Sequence, residues 1–192
     1  YTAEGSFAAF SKHLPRLKEM GVHILWFMPI TPISKKIRQG TLGSYYACSS
    51  YTTINPEFGT LDDFKQLVDE AHASGFKIII DWVANHTGWD HPWTTQHPEW
   101  YLQDATGNFT EKNGWHDVID LNFDIQEMPT ALIAAMEYWV NECDINCFRC
   151  DMAHRVPIHF WKDARTQCEA PKQLIWLAEV EGVNYHGVFD AI

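Results

Sequence analysis

The sequence predicts an α/β fold built on a parallel sheet, and three observations carry that reading. Four short apolar runs have the length and the β-branched and aromatic content of strands buried on both faces. Amphipathic helical patterns separate them, and strand alternating with helix is the pattern of right-handed parallel crossovers. The connections that leave the first two strands are long and rich in turn residues, as expected of loops that carry function.

The elements follow in order. A helix covers roughly residues 6–20, in two pieces because Pro15 interrupts it. The first strand is 22–28 (VHILWFM). Residues 29–60, with Pro29, Pro32, Gly40, Gly43, Pro56 and Gly59, form the first long connection. A helix over 61–73 places Leu61, Phe64, Leu67, Val68 and Ala71 on one face, with Thr60 as N-cap and Gly75 as stop. The second strand, 77–83 (KIIIDWV), leads into the second long connection, 86–127. A helix over 130–142 starts behind Pro129, a third strand covers 146–152 (NCFRCDM), and a helix over 158–169 follows Pro157. The fourth strand is 174–180 (LIWLAEV).

Composition bounds the function. The chain has 192 residues, 14 basic and 25 acidic, a net charge of −11 and 46% hydrophobic residues, an ordinary globular balance. No apolar run approaches the ~20 residues that span a bilayer. The acid excess leaves no basic stripe to neutralise phosphates, which argues against nucleic acid. Five cysteines (Cys48, Cys143, Cys147, Cys150, Cys168), odd in number and clustered, read as reduced core thiols rather than a disulfide framework. Cys143, Cys147 and Cys150 have the spacing of an iron–sulfur motif, but Cys147 and Cys150, three apart in a strand, face opposite ways. His91, His97 and His116 match no zinc spacing and read as loop histidines. Of the nine tryptophans, Trp82, Trp89, Trp93, Trp100 and Trp115 crowd into one stretch. Such rings either hold something flat and partly apolar, as a sugar is, or pin a long loop as its own small core.

The chemistry gathers at strand ends. The second strand runs out through Asp81-Trp82-Val83-Ala84-Asn85-His86, the third carries Arg149-Cys150-Asp151, and the fourth ends in Glu179. Arg149 and Asp151 are two apart, so their side chains leave one face, where the cation is expected to hold the carboxylate ionised as a nucleophile. Glu179 follows the apolar run 174–178, which is expected to raise its carboxyl toward the range of a general acid. Two carboxylates in unlike environments on adjacent strands suit retaining glycoside hydrolysis. A lone Arg-x-Asp in a strand more often supports the fold; the pair together with Glu179 points to catalysis.

These blocks resemble the α-amylase family of glycoside hydrolases across essentially the whole chain. Gly43-Ser44-Tyr45-Tyr46 with 51–60 (YTTINPEFGT) is similar to the family's loop after the second barrel strand. Asp81–His86 is similar to its first signature block, and 118–122 (VIDLN) to a motif near the end of an inserted domain B. Residues 147–151 (CFRCD) resemble the nucleophile block and 177–179 (LAE) the acid/base block. The implied fold is a (β/α)8 TIM barrel, incomplete here: strands two to five of eight, where a whole barrel needs ~250 residues. The implied division is residues 1–85 for the first part of the barrel, 86–127 for a small domain B-like insertion after the third barrel strand, and 128–192 for the continuation. Tyr1 at the start and the apolar end 188–192 fit a chain cut from something longer.

The resemblance implies roles. Asp151 is the nucleophile, Glu179 the acid and then the base, and Arg149 the residue that orients Asp151. His86 hydrogen-bonds the sugar, Tyr46 stacks on its face, and Asp81 braces the site. Asn85 and Asp120 correspond to calcium ligands in many members, and their oxygens suit that hard cation; no organic cofactor is implied. The implied partner is an α-glucan oligo- or polysaccharide, and the implied reaction is retaining cleavage of α-1,4 bonds in starch-like glucans. An exo-acting α-glucosidase, a cyclodextrin-degrading relative and a non-catalytic carbohydrate-binding barrel are the alternatives. Ser50 before Tyr51, Cys147 in place of Gly, and His154-Arg155 in place of Lys-His depart from the family pattern. The family's third acid, an Asp in an Asn-His-Asp block, has no counterpart within residues 1–192, so this chain by itself is expected to be nearly inactive.

Overall fold

The computed structural model describes residues 5–180 and 182–192; Tyr1 lies outside them. In chain order its strands are β1 (Ile24–Phe27), β2 (Lys77–Val83), β3 (His86–Gly88), β4 (Val118–Asp120), β5 (Cys147–Asp151) and β6 (Ile175–Ala178). Its helices are α1 (Phe7–Ser11), α2 (Leu14–Glu19), α3 (Leu61–Ala73), α4 (Trp93–Gln96), α5 (Glu127–Cys143) and α6 (Ile158–Cys168). Strands β1, β2, β5 and β6 form one parallel sheet in that order, and β3 pairs with β4 antiparallel. The four parallel strands are half the complement of a closed (β/α)8 barrel.

Strand parity divides the sheet. Leu25, Ile78, Ile80, Trp82, Phe148, Cys150, Trp176 and Ala178 enter one hydrophobic core with Phe64 and Leu67 of α3, Leu132 and Trp139 of α5, and Phe160 and Trp161 of α6. Phe64 and Trp139 meet edge to face at 6.0 Å, which locks α3 to α5 over the sheet. The alternate residues face the opposite way and include Asp81, Arg149 and Asp151. On β1 this second face is apolar and exposed, at Ile24 and Trp26.

The helices obey local rules. Thr60 Oγ1 accepts the Asp63 N–H at 3.2 Å and Asp63 Oδ2 accepts the Thr60 N–H at 2.7 Å, a capping box that starts α3. Gly75, at φ 88°, supplies the left-handed residue that ends it. The expected break at Pro15 is corrected. The gap lies at Lys12–His13, and Pro15 is the second residue of α2, where its missing N–H had no helical acceptor to lose. Helix α5 likewise starts at Glu127, three residues before the expected 130, with Pro129 inside its first turn.

Residues 86–127 carry their own small sheet. His86 pairs with Asp120 and Gly88 with Val118, and bridges at Tyr101–Leu121 and Gln103–Phe109 extend it. The loop after β1 packs directly on β3: Gly88 donates to the Cys48 oxygen at 2.8 Å, and a Cβ at Gly88 would lie 2.1 Å from Ser34 Cβ. Glycine is what allows the two backbones to touch. The tryptophan cluster is mainly the loop's own core. Trp82 and Trp100 are buried, Trp93 packs edge-on against Trp100 at 4.9 Å, and Trp89 donates to the His116 oxygen at 3.0 Å.

Candidate active site

Register brings the strand ends together. Asp81 of β2 pairs with Arg149 of β5, Val83 with Asp151, and Cys150 with Ala178, the residue before Glu179. The result is one guanidinium gripping three carboxylates. Arg149 Nη1 lies 2.9 Å from Asp81 Oδ1 and 2.8 Å from Asp151 Oδ1, and Nη2 lies 2.9 Å from Glu179 Oε2. Asp81 Oδ2 also accepts the Tyr46 hydroxyl at 3.2 Å and the Trp26 indole N–H at 3.3 Å. Trp26 stacks beneath the same cation, with its ring centre 5.3 Å from the guanidinium carbon. Tyr51 holds the signature block from behind, its hydroxyl 2.9 Å from the Val83 oxygen and 3.2 Å from that of His86.

Three acids share one base, so they cannot all ionise freely. Burial pushes the Asp151 carboxyl up to about 7; Arg149 opposes this, while the charges of Asp81 and Glu179 add to it. Burial also raises Asp81, against the pull of Arg149. Burial works against ionisation of Glu179 as well, but the Met152 N–H and Arg149 hold it below the usual carboxylate range. This reverses both expectations for the pair. Asp151 sits mid-sheet, flanked by β2 and β6, where little water supports a charge. Glu179 stands past the end of an outer strand with its side chain 46% exposed. The apolar residues before it do not surround it: Leu174, Trp176 and Ala178 turn into the helical layer.

A cavity of about 530 Å³ opens over this cluster, lined by Tyr46, His86, Trp115, Asp117, Arg149, Asp151 and Glu179 among others. Burial lowers the His86 imidazole to about 4, partly offset by the Tyr46 backbone, so it is neutral near pH 7. Its ring meets Trp115 edge-on at 5.7 Å. Burial, with Asp81 next to it, lifts the Tyr46 hydroxyl to about 12 and keeps it a proton donor. Sequence reasoning missed Trp26, Gln39, Asp117 and Met152. Gln39 donates to Asp117 Oδ1 at 3.3 Å at the rim. Strand parity could have found Trp26, which shares its face with Ile24, and Asp117 directly precedes the 118–122 motif.

Asn85 and Asp120 also meet. Asn85 Nδ2 lies 3.2 Å from Asp120 Oδ1 and 3.1 Å from His86 Nδ1, and the Lys112 N–H donates to Asp120 Oδ2 at 3.1 Å. Asn85 turns its amide nitrogen, not its oxygen, to Asp120, and both Asp120 oxygens already accept hydrogen bonds, so the pair as it stands falls short of the six to eight oxygens that calcium takes. Among the described residues no group of three or more His, Cys, Asp or Glu is placed to hold a metal. Among them, too, no helix is long and apolar enough to cross a membrane.

Known proteins share this fold. An alpha-amylase from Lactobacillus plantarum is 45% identical, with a TM-score of 0.90 over 96% of this chain and 44% of its own. A maltogenic alpha-amylase from Thermotoga neapolitana is 40% identical, with a TM-score of 0.93 over 99% of this chain and 45% of its own. An alpha-1,4-glucan:maltose-1-phosphate maltosyltransferase from Rhodospirillum rubrum is 34% identical over 179 residues, 82% of this chain and 26% of the relative. The chain thus spans about a quarter of that curated relative and under half of each solved one. The alpha amylase catalytic-domain model matches residues 2–99. With Asp81, Arg149, Asp151 and Glu179 gathered on the ends of its parallel strands, the chain belongs to the α-amylase family of glycoside hydrolases and transferases.

Proposed function

We propose that this chain carries the nucleophile and the acid/base residue of a retaining enzyme that cleaves α-1,4-glucosidic bonds of starch-like glucans. The observation that carries the reading is the single Arg149 guanidinium holding Asp151 and Glu179 on adjacent strands, beneath a sugar-sized cavity. The ionised Asp151 carboxylate attacks the anomeric carbon. The glycosidic C–O bond breaks, and the Glu179 proton passes to the departing oxygen. A glycosyl ester on Asp151 results, and Glu179, now a base, takes a proton from water as that water attacks the anomeric carbon and frees Asp151. This order needs the proton on Glu179 and the charge on Asp151. Without substrate the shared proton favours Asp151, so the reading requires it to pass to Glu179 when a glucan displaces water and covers the exposed Glu179 carboxyl. His86, neutral and buried, hydrogen-bonds the sugar; Tyr46 and Trp115 offer it aromatic faces. Asp81 fixes Arg149 from below.

Replacing Asp151 removes the atom that forms the ester. Asp151→Asn in the enzyme lowers kcat on starch at least ~10³-fold, and wild-type-like turnover in that variant would sink the assignment.

A second reading, glycosyl transfer in place of hydrolysis, is favoured by the likeness to a maltosyltransferase. Both share the ester on Asp151 and differ in the acceptor. The cavity wall sets Asp117, Asp151 and Glu179 against Arg149, whose guanidinium is already shared among Asp81, Asp151 and Glu179, so a phosphorylated sugar meets net negative charge there. Neutral glucans and water are the better fit. Calcium at Asn85 and Asp120 would draw on backbone oxygens and water for the rest of its shell; a thermal shift on calcium titration supports it, and no shift removes it.

A further inference from the structure

Met152, directly after Asp151, adopts a left-handed backbone at φ 45°, ψ 42°. A side chain with a Cβ rarely sits there, and such conformations persist where the surroundings over-determine them. Here three bonds do so, all to one residue. The Glu179 N–H donates to the Cys150 oxygen at 3.0 Å, and the Ala153 N–H donates to the Glu179 oxygen at 3.0 Å. Between them the Met152 N–H donates to the Glu179 carboxylate, Oε2, at 3.0 Å. The turn is closed behind by the Arg155 N–H on the Met152 oxygen at 2.8 Å. The chain leaving β5 therefore bends at Met152 so that its own amide faces β6.

We propose that Met152 is a positioning residue: through its left-handed backbone N–H it holds the Glu179 carboxylate against Arg149 and beside Asp151. The proposal rests on reading Asp151 and Glu179 as the reacting pair. The Met152 side chain has no part in it; the amide does. Among the described residues, the charged and titratable groups that face Glu179 are Arg149 and Asp151 of β5 and His154 of the turn that follows. None of these is changed by altering the amide of residue 152, so the amide's effect on Glu179 can be read separately.

The test is the pH titration of Glu179 itself, followed by carbon NMR of chain labelled at the glutamate carboxyls and assigned with Glu179→Gln. Two changes are compared. A backbone ester at position 152, made with the α-hydroxy analogue of methionine, deletes the N–H and keeps the side chain. Met152→Gly keeps the N–H and permits the left-handed backbone at no steric cost. A carboxylate that loses one such donor titrates about one pH unit higher. The expected result is that rise in the ester chain and an unchanged titration in Met152→Gly. An ester chain that titrates like the wild type overturns the proposal, and so does a glycine variant that shifts as far as the ester. The readout needs no turnover, so a failure of the glucan-cleaving assignment is seen separately, as absent hydrolysis with the titration difference intact.

Discussion

Asp151→Asn should make the protein more stable at pH 8 while abolishing its proposed chemistry. In the unfolded chain the Asp151 carboxyl titrates near 3.8, and in the fold burial carries it to about 7. The folded state therefore binds a proton that the unfolded state has released between these two values. A group whose folded value is raised contributes its stability in full below the unfolded value and loses it as pH rises through the folded one. Above pH 7 the wild type has forfeited about 4 kcal/mol on this account. That is an upper limit, because the site relaxes around the charge. The attraction of Arg149 is already contained in the value of 7, so it is not subtracted again. Asparagine stays neutral at every pH and suffers no such loss. Urea unfolding of both proteins at pH 4 and pH 8 reads the effect. The curves should nearly coincide at pH 4, and the Asn variant should lead by about 2–4 kcal/mol at pH 8. A variant no more stable than the wild type at pH 8, or a gap equal at both pH values, refutes the reasoning.

Other consequences follow from other parts of the fold. Burial holds the His91 imidazole at about 4, and its Nε2 has no hydrogen-bond partner among the described residues, so stability falls as pH drops from 6.5 toward 4. His91→Phe should flatten that part of the pH–stability curve, read by chemical denaturation at several pH values. Gly88→Ala forces a methyl into Ser34 and should cost about 1–3 kcal/mol, measured as a lowered urea midpoint. Thr60→Ala removes the cap of α3 and should cost about 1 kcal/mol, with no change in the NMR shifts of the Arg149 carboxylate cluster.

The two central strands were legible because they are buried on both faces, so composition alone marked 77–83 and 146–152. Helix α3 was legible because its cap and stop are local. Pro15 and Pro129 misled on boundaries, since a proline tolerated anywhere in a first turn does not mark one position within it. Arg149 and Asp151 were predicted to share a face from their spacing, and they do. Their electrostatics were not legible. Whether a carboxyl is raised or lowered depends on which strand lies mid-sheet and on the third acid, Asp81, gripping the same guanidinium. Trp26 and Met152 act on the site through an indole N–H and a backbone angle, and a string of residue types records neither contact. The tryptophan cluster favoured the loop-core reading because the stretch folds back on itself around β3 and β4, leaving Trp115 to face the cavity.

The account stands most directly on a covalent bond between sugar and Asp151. The enzyme is incubated with a fluorinated α-glucosyl donor bearing a good leaving group, which forms the ester faster than water removes it, and its peptides are then weighed by mass spectrometry. One glucosyl unit on the peptide containing Asp151, and none after Asp151→Asn, is the predicted result. An adduct on a different residue, or turnover of the donor with the Asp151 peptide unmodified, would contradict the account.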